Sequence, residues 1–179
     1  MFLKILFALA VIVAGFAIVA ALQPAAYHVT RSTTIAAPAA AVFARVNDLH
    51  QWQEFSPWAK LDPEVKNTFA GSPAGAGAVL SWVGNSKVGE GRMTITESRP
   101  AELIRMNLEF IKPMPGTSVV EFTFQPDGTQ TQVTWTMSGD NSFLGKAMCL
   151  VVSMDKMVGG DFEKGLAALK SLSEAAARK

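Results

Sequence analysis

The chain has 179 residues and is almost neutral, with 16 Lys and Arg against 15 Asp and Glu. Setting aside the first 23 residues, whose one charged side chain is Lys4, leaves 15 of each sign, so composition offers no basic face and points away from nucleic acid as a partner. The single Cys149 excludes an intrachain disulfide and a cysteine metal cluster.

The chain opens with MFLK and then Ile5 to Leu22, an uninterrupted apolar run without a charge. That is long enough to cross a bilayer. A cleaved signal peptide is the rival reading, with small residues before Leu22 as its cleavage site. The run exceeds the usual signal core of about 7–15 residues, which favours an uncleaved anchor. Residues 1–23 are thus read as a membrane anchor or signal segment, and 24–179 as one domain. Lys4 and the amino terminus precede the span, and Arg31 alone follows it closely. This places the chain in the cytoplasmic membrane as a single-pass protein, its domain on the extracytoplasmic side.

Gln23 to Ala26 is a very short linker. From Tyr27 the sequence alternates and is rich in β-branched residues, predicting a strand that ends before Pro38. Pro38 suits the first turn of a helix. Val42, Phe43 and Val46 share one face, and Leu49, Trp52 and Phe55 form a second cluster. Two short helices with a bend near Asn47–Asp48 follow, then a loop through Pro57 and Pro63. Beyond Pro63 the period is two. VKNTFA is a strand, GSPAGAG a turn, and AVLSWVG and KVGEGRMTITES form a hairpin around GNSK. ELIRMNLEF, TSVVEFTF and TQVTWTMS are further strands, the last two joined by a turn at PDG. Short connections predict an antiparallel sheet. One apolar face per strand requires a cover, and the long C-terminal helix supplies it. The class is α+β, with about seven strands, a long last helix and an N-terminal transmembrane helix.

The inward positions are then Met93, Ile95, Ile104, Met106, Leu108, Phe110, Val120, Phe122, Phe124, Val133, Trp135 and Met137. None of these can move a proton at neutral pH, whereas general acid–base work needs a His, carboxylate, Lys or Tyr within reach. His28 and His50 read as surface or satisfied residues. No GxSxG, HExxH or phosphate-binding loop occurs, and Gly75–Gly77 is a turn. Metal ligands at helical spacing are missing. No catalytic residue, metal or cofactor is expected. Cys149, among Met148, Leu150 and Val151, reads as a small buried hydrophobe. Nothing in the residues specifies an oligomer.

Several segments agree, in order, with a known group. The first strand, APAAAVFARVNDLHQWQEFSPW, GSPAGAGAVLSW, GEGRMTITESRP and MDKMVGGDFEKGLAALK resemble the START-like superfamily, and within it the SRPBCC or polyketide cyclase/dehydrase-like group. The resemblance spans about residues 27–175. It implies a helix-grip fold: a curved antiparallel sheet wrapped around a long C-terminal helix, with a cavity between them. It also implies binding of a hydrophobic small molecule or lipid.

On that fold the large soft side chains become candidate cavity lining: Trp52, Phe55, Trp58, Trp82, Met93, Met106, Phe110, Phe122, Trp135, Met137, Met154, Val158 and Phe162. For any one of them, filling a solid core is the plainer reading. As a set, rich in adaptable methionine, they favour a real cavity. At 100° per residue, Leu144, Met148, Val151, Val158, Phe162, Leu166 and Leu169 form one stripe that keeps its phase across Gly159–Gly160. One helix is expected there, with a bend at the glycines. Gly159 and Gly165 border the stripe, where a missing side chain admits the sheet or a ligand; Gly160 points away. Asp155 lies within the stripe, and a buried carboxylate is costly unless partnered. Two readings stand. A local bend or a Trp, Ser or Thr donor satisfies it, or it meets a ligand head at the cavity mouth with its pKa raised by desolvation. A binding module tethered to the membrane is the leading function. The alternatives are a cyclase or dehydratase-type enzyme, with Asp155 and Arg92 or Glu90 as polar participants, and an interaction module with a filled interior.

Overall fold

A computed structural model describes residues 1–178. Helix α1 (Phe2–Leu22) is followed by strand β1 (Ala26–Ile35), helices α2 (Ala39–Asn47) and α3 (Leu49–Phe55) and a 3₁₀ turn over Pro57–Lys60. Six strands come next: β2 (Lys66–Gly71), β3 (Ala78–Val83), β4 (Glu90–Arg99), β5 (Leu103–Lys112), β6 (Gly116–Asp127) and β7 (Gln130–Asp140). Helices α4 (Phe143–Cys149) and α5 (Met154–Ala177) close the chain. The strands form one curved antiparallel sheet in the order β1-β7-β6-β5-β4-β3-β2. Consecutive strands are neighbours throughout β2 to β7, as short turns require. β1 closes the far edge against β7, from Ala26 opposite Asp140 to Ile35 opposite Thr131.

The sheet's alternation resolves as its sequence implies. Ile104, Met106, Val120, Phe122, Val133 and Trp135 are buried on the inner face. On the outer face Arg105 pairs with Glu97 and, at 2.9 Å, with Glu121. The β3–β4 loop is longer than GNSK, however. Lys87 to Gly89 belong to it rather than to β4, because Gly89 takes φ 70° and lies against the Lys112 carbonyl, a position closed to other residues.

The two short helices part where the sequence places the bend. Asp48 caps α3, its side chain accepting from the His50 N–H at 2.9 Å. α2 sets Val42, Phe43 and Val46 against one end of the sheet, with the Phe43 ring edge-on to Phe124 at 5.5 Å.

The last helix needs a correction. It runs unbroken through Gly159 and Gly160, but the stripe that begins at Leu144 belongs to two helices. Val151 and Val152 close a turn on the Met148 carbonyl, and the Ser153 hydroxyl then caps a new helix by accepting from the Lys156 N–H at 3.3 Å. β-Branched residues followed by a good N-cap stop one helix and start another. Leu144, Met148 and Val151 are consequently exposed, and Cys149 is half-buried with Asn141 donating to its sulfur.

α1 is long and apolar enough to cross a membrane. Only Ala20 within it is buried by the rest of the protein.

Candidate functional site

Along the inner face of the sheet, packing changes character within one residue pair. Toward one end, Ile95 on β4, Ile104 and Met106 on β5, Phe122 and Phe124 on β6 and Val133 on β7 are sealed by α2 and by Leu166 and Leu169 of α5. Toward the other end α5 still holds to β1 and β7, through Arg31 and Trp135, but stands off the middle strands of the sheet. Met93 opposite Leu108, Val120 opposite Met137, and Phe110 one step further along β5 face a cavity of about 390 Å³. The first three turns of α5 roof it with Met154, Met157, Val158 and Phe162. Trp52 of α3 and Trp58 of the 3₁₀ turn wall it on one side, Leu80 and Trp82 of β3 on another.

Ten of the fourteen candidate lining residues face this space: Trp52, Trp58, Trp82, Met93, Phe110, Trp135, Met137, Met154, Val158 and Phe162. The other four do not. Phe55, Met106 and Phe122 lie in the solid part, buried among α2, α3 and the sheet, because the alternation that turns a residue inward does not say whether it meets protein or space. Asp155 lies outside altogether. Its carboxylate accepts from the Arg31 guanidinium at 2.7 and 3.1 Å, and the side chain stays half exposed. Its pKa is lowered, not raised: the Arg31 hydrogen bond outweighs desolvation. Arg31 also donates to Glu163 at 2.7 Å and is held still more firmly charged. A partner on the first strand is 124 residues away, so no local pattern announces it.

Sequence reasoning passed over the polar rim. Gln53, Asn67 and Lys87 line the cavity from exposed or partly exposed positions and Ser56 from a buried one, the Asn67 amide donating to Gln53 at 3.3 Å. Their signal is faint, since each carries ordinary surface chemistry. Lys87 is the one charged lining residue. Neither Arg92 nor Glu90 reaches the cavity, and Glu90 pairs with Lys112 at 2.7 Å.

The deep wall is aromatic. Trp135 stacks on Phe162 at 4.2 Å, and Trp52 meets both Trp135 and Phe122 edge-on at 5.4 and 5.7 Å. Two glycines make this close packing possible. A side chain at Gly91 would strike the Trp82 ring, and a Cβ at Gly165 would come within 2.6 Å of the Trp135 ring. Gly159 instead makes room for the Arg31 guanidinium, and a side chain at Gly160 would meet nothing. The three glycines of α5 thus have three surroundings: an ion pair, open solvent and an indole.

Chemically the space offers apolar contact, two side-chain amides, one hydroxyl and one ammonium. Among the described residues no group of three or more His, Cys, Asp or Glu could hold a metal ion.

A protein family described as polyketide cyclase / dehydrase and lipid transport matches residues 26–174. No curated protein matches. Solved structures share the fold. A point mutant of norcoclaurine synthase from Thalictrum flavum superposes with a TM-score of 0.66 at 10% identity, over 87% of this chain and 98% of that one. The Zhui aromatase/cyclase from Streptomyces sp. R1128 gives 0.60 at 18% identity, over 83% and 94%. A protein from Thermus thermophilus gives 0.57 at 20%, over 84% and 99%.

Proposed function

Because the chain belongs to the polyketide cyclase / dehydrase and lipid transport family, we propose that it binds a hydrophobic or lipid-like small molecule between the sheet and α5. The observation that carries this reading is the 390 Å³ cavity itself, walled by aromatic and methionine side chains with few polar groups among them. Specific small-molecule sites share that size, apolar lining and sparse polar placement. A core built for stability alone would close such a space, since each unfilled volume forfeits packing energy.

The same family contains cyclases and dehydrases. That alternative needs a proton-transfer group at the reacting atoms. Lys87 is the titratable residue on the lining, and it lies at the exposed rim. Binding or transfer of the ligand therefore fits the site better than its chemical conversion.

α1 tethers the domain to the membrane in this reading. Nearly all of its apolar surface is left uncovered by protein, from Phe2 and Leu3 to Leu22. Such a continuous apolar face requires a non-aqueous surrounding. Lys4 and the amino terminus before the span, against Arg31 alone after it, favour a domain on the outer side of the cytoplasmic membrane.

The test is photolabelling of the full chain in phosphatidylcholine vesicles carrying a diazirine fatty alcohol, with labelled residues mapped by mass spectrometry. Label on α1 is expected from the bilayer in any case. Label on Met93, Leu108 or Met137, lost when Leu108→Trp fills the cavity, supports the reading. Label confined to α1 and neighbouring exposed residues would sink it.

A further inference from the structure

We propose that the segment from Phe143 to Val152 seats in the lipid–water interface and holds the α5 edge of the cavity against the bilayer. The ligand then exchanges with the membrane rather than with bulk water. This rests on the membrane reading of α1 and, for the exchange, on the ligand reading of the cavity.

Depth is the first argument. α1 has 21 residues, which at ~1.5 Å each match a hydrocarbon core of about 30 Å. Its last turn therefore lies at the membrane surface. α4 packs against α1 at that level, and Lys146 donates from Nζ to the Ala21 carbonyl at 3.2 Å. That carbonyl is one of those a helix end leaves unsatisfied, and a cation suits the helix C-terminus. The link to the domain is short as well. Between Leu22 and Ala26 stand only Gln23, Pro24 and Ala25, a reach of at most about 14 Å. The Ala25 carbonyl is itself fixed, accepting from the Asn141 N–H at 2.8 Å immediately before α4. The domain cannot drift from the surface.

Composition is the second. From Asn141 to Met154 the one charge is Lys146, and there is no acid. Phe143, Leu144, Val151 and Val152 are exposed, Val151 to 80%. An apolar patch continuous with the foot of a membrane helix, with a lysine beside it, has the chemistry of a bilayer contact. It lacks that of a water-facing surface.

Continuity with the cavity is the third. The segment runs directly into α5, where Met154, Met157 and Val158 are lining residues. Met157 is both part of the lining and 42% exposed. Lipid at Val151–Val152 would stand beside the cavity's roof.

Cys149→Ser removes the native thiol, and Val151→Cys or Thr129→Cys then carries an environment-sensitive fluorophore. Thr129, exposed in the β6–β7 turn, lies at the opposite end of β7, about 30 Å away along the strand. With the full chain in vesicles containing nitroxide-labelled phosphatidylcholine, the probe at 151 is expected to be quenched severalfold more than the probe at 129. Equal quenching at the two positions would overturn the interfacial seat. In the Leu144→Gln/Val151→Gln variant, diazirine labelling of Met93 and Met137 from the bilayer is expected to fall at least threefold while α1 labelling is unchanged. Unchanged cavity labelling in that variant would overturn the exchange route. Quenching at 151 with no cavity labelling even in the parent chain would uphold the seat and refute the ligand reading instead.

Discussion

The same sheet and the same helix enclose two different interiors. At the C-terminal half of α5, Leu166 and Leu169 meet Ile104, Phe122 and Val133 with α2 wedged alongside, and these five residues are at most 2% exposed. At its N-terminal half, Met154, Val158 and Phe162 look across a cavity to Met93, Leu108 and Met137. The difference does not lie in residue type, since both halves are apolar. It lies in coverage. α2 supplies Val42, Phe43 and Val46 to the first half, whereas the second is walled by Trp52 of α3 and by Ser56, Trp58 and Ala59 of the turn after it, with space left between them and the sheet. One half stores stability and the other gives some of it up to keep a space open.

That contrast is broken most severely by truncation in the solid half. Phe122→Ala removes a fully buried ring and is expected to cost about 3–5 kcal/mol. Leu108→Ala, in the hollow half, already has space on one side and is expected to cost less than about 2 kcal/mol, below the Leu→Ala range for filled cores. Denaturation of the full chain in lipid nanodiscs, followed by tryptophan fluorescence, compares them. Equal losses would mean the cavity is closed in solution.

The boundary between the halves is Trp135, and Gly165 tests it. Alanine would normally favour a helix by roughly 1 kcal/mol over glycine. At position 165 its Cβ would come within 2.6 Å of the Trp135 ring and 3.3 Å of Pro57. Trp135 is pinned between Phe162 and Phe122. Gly165→Ala should therefore destabilise, by about 1–3 kcal/mol as for other overpacked cores. Gly160→Ala, with open space around it, should stabilise by up to about 1 kcal/mol. Opposite signs for two glycines on one helix, in the same denaturation assay, are the expected outcome.

These particular residues also mark how far the sequence could be read. Period-two alternation put Met106, Leu108, Phe122 and Met137 on one face, and the sheet follows it. Alternation carries no information on depth along the strand, so Met106 and Phe122 were indistinguishable from Leu108 and Met137. What separates them is where α2 docks, a tertiary fact. The break before α5 was masked because Leu144, Met148 and Val151 happen to keep the phase of Val158 and Phe162. Ser153 as an N-cap was the local signal against it. Asp155 looked like an oddity for the same reason. Helical phase placed it among apolar residues, and only the pairing of β1 with β7 brings Arg31 beneath it.

That ion pair gives the gentlest test of the contrast. The hollow half of α5 has less core to hold it, and Arg31 fastens it to β1 through Asp155 and Glu163. Asp155 has its pKa lowered in the folded chain from an ordinary 3.8, first by the Arg31 hydrogen bond. A depressed carboxylate contributes stability above its unfolded pKa and loses it as pH falls through the folded value. Arg31 stays charged throughout, so the pH window belongs to the carboxylate. Asp155→Asn should lower the melting temperature slightly at pH 7, as befits an exposed pair. The gap from the parent chain should narrow below pH about 4 and close once the parent's own Asp155 is protonated. A gap that persists unchanged at low pH would mean the aspartate acts through helix capping or packing near Ser153 rather than through its charge.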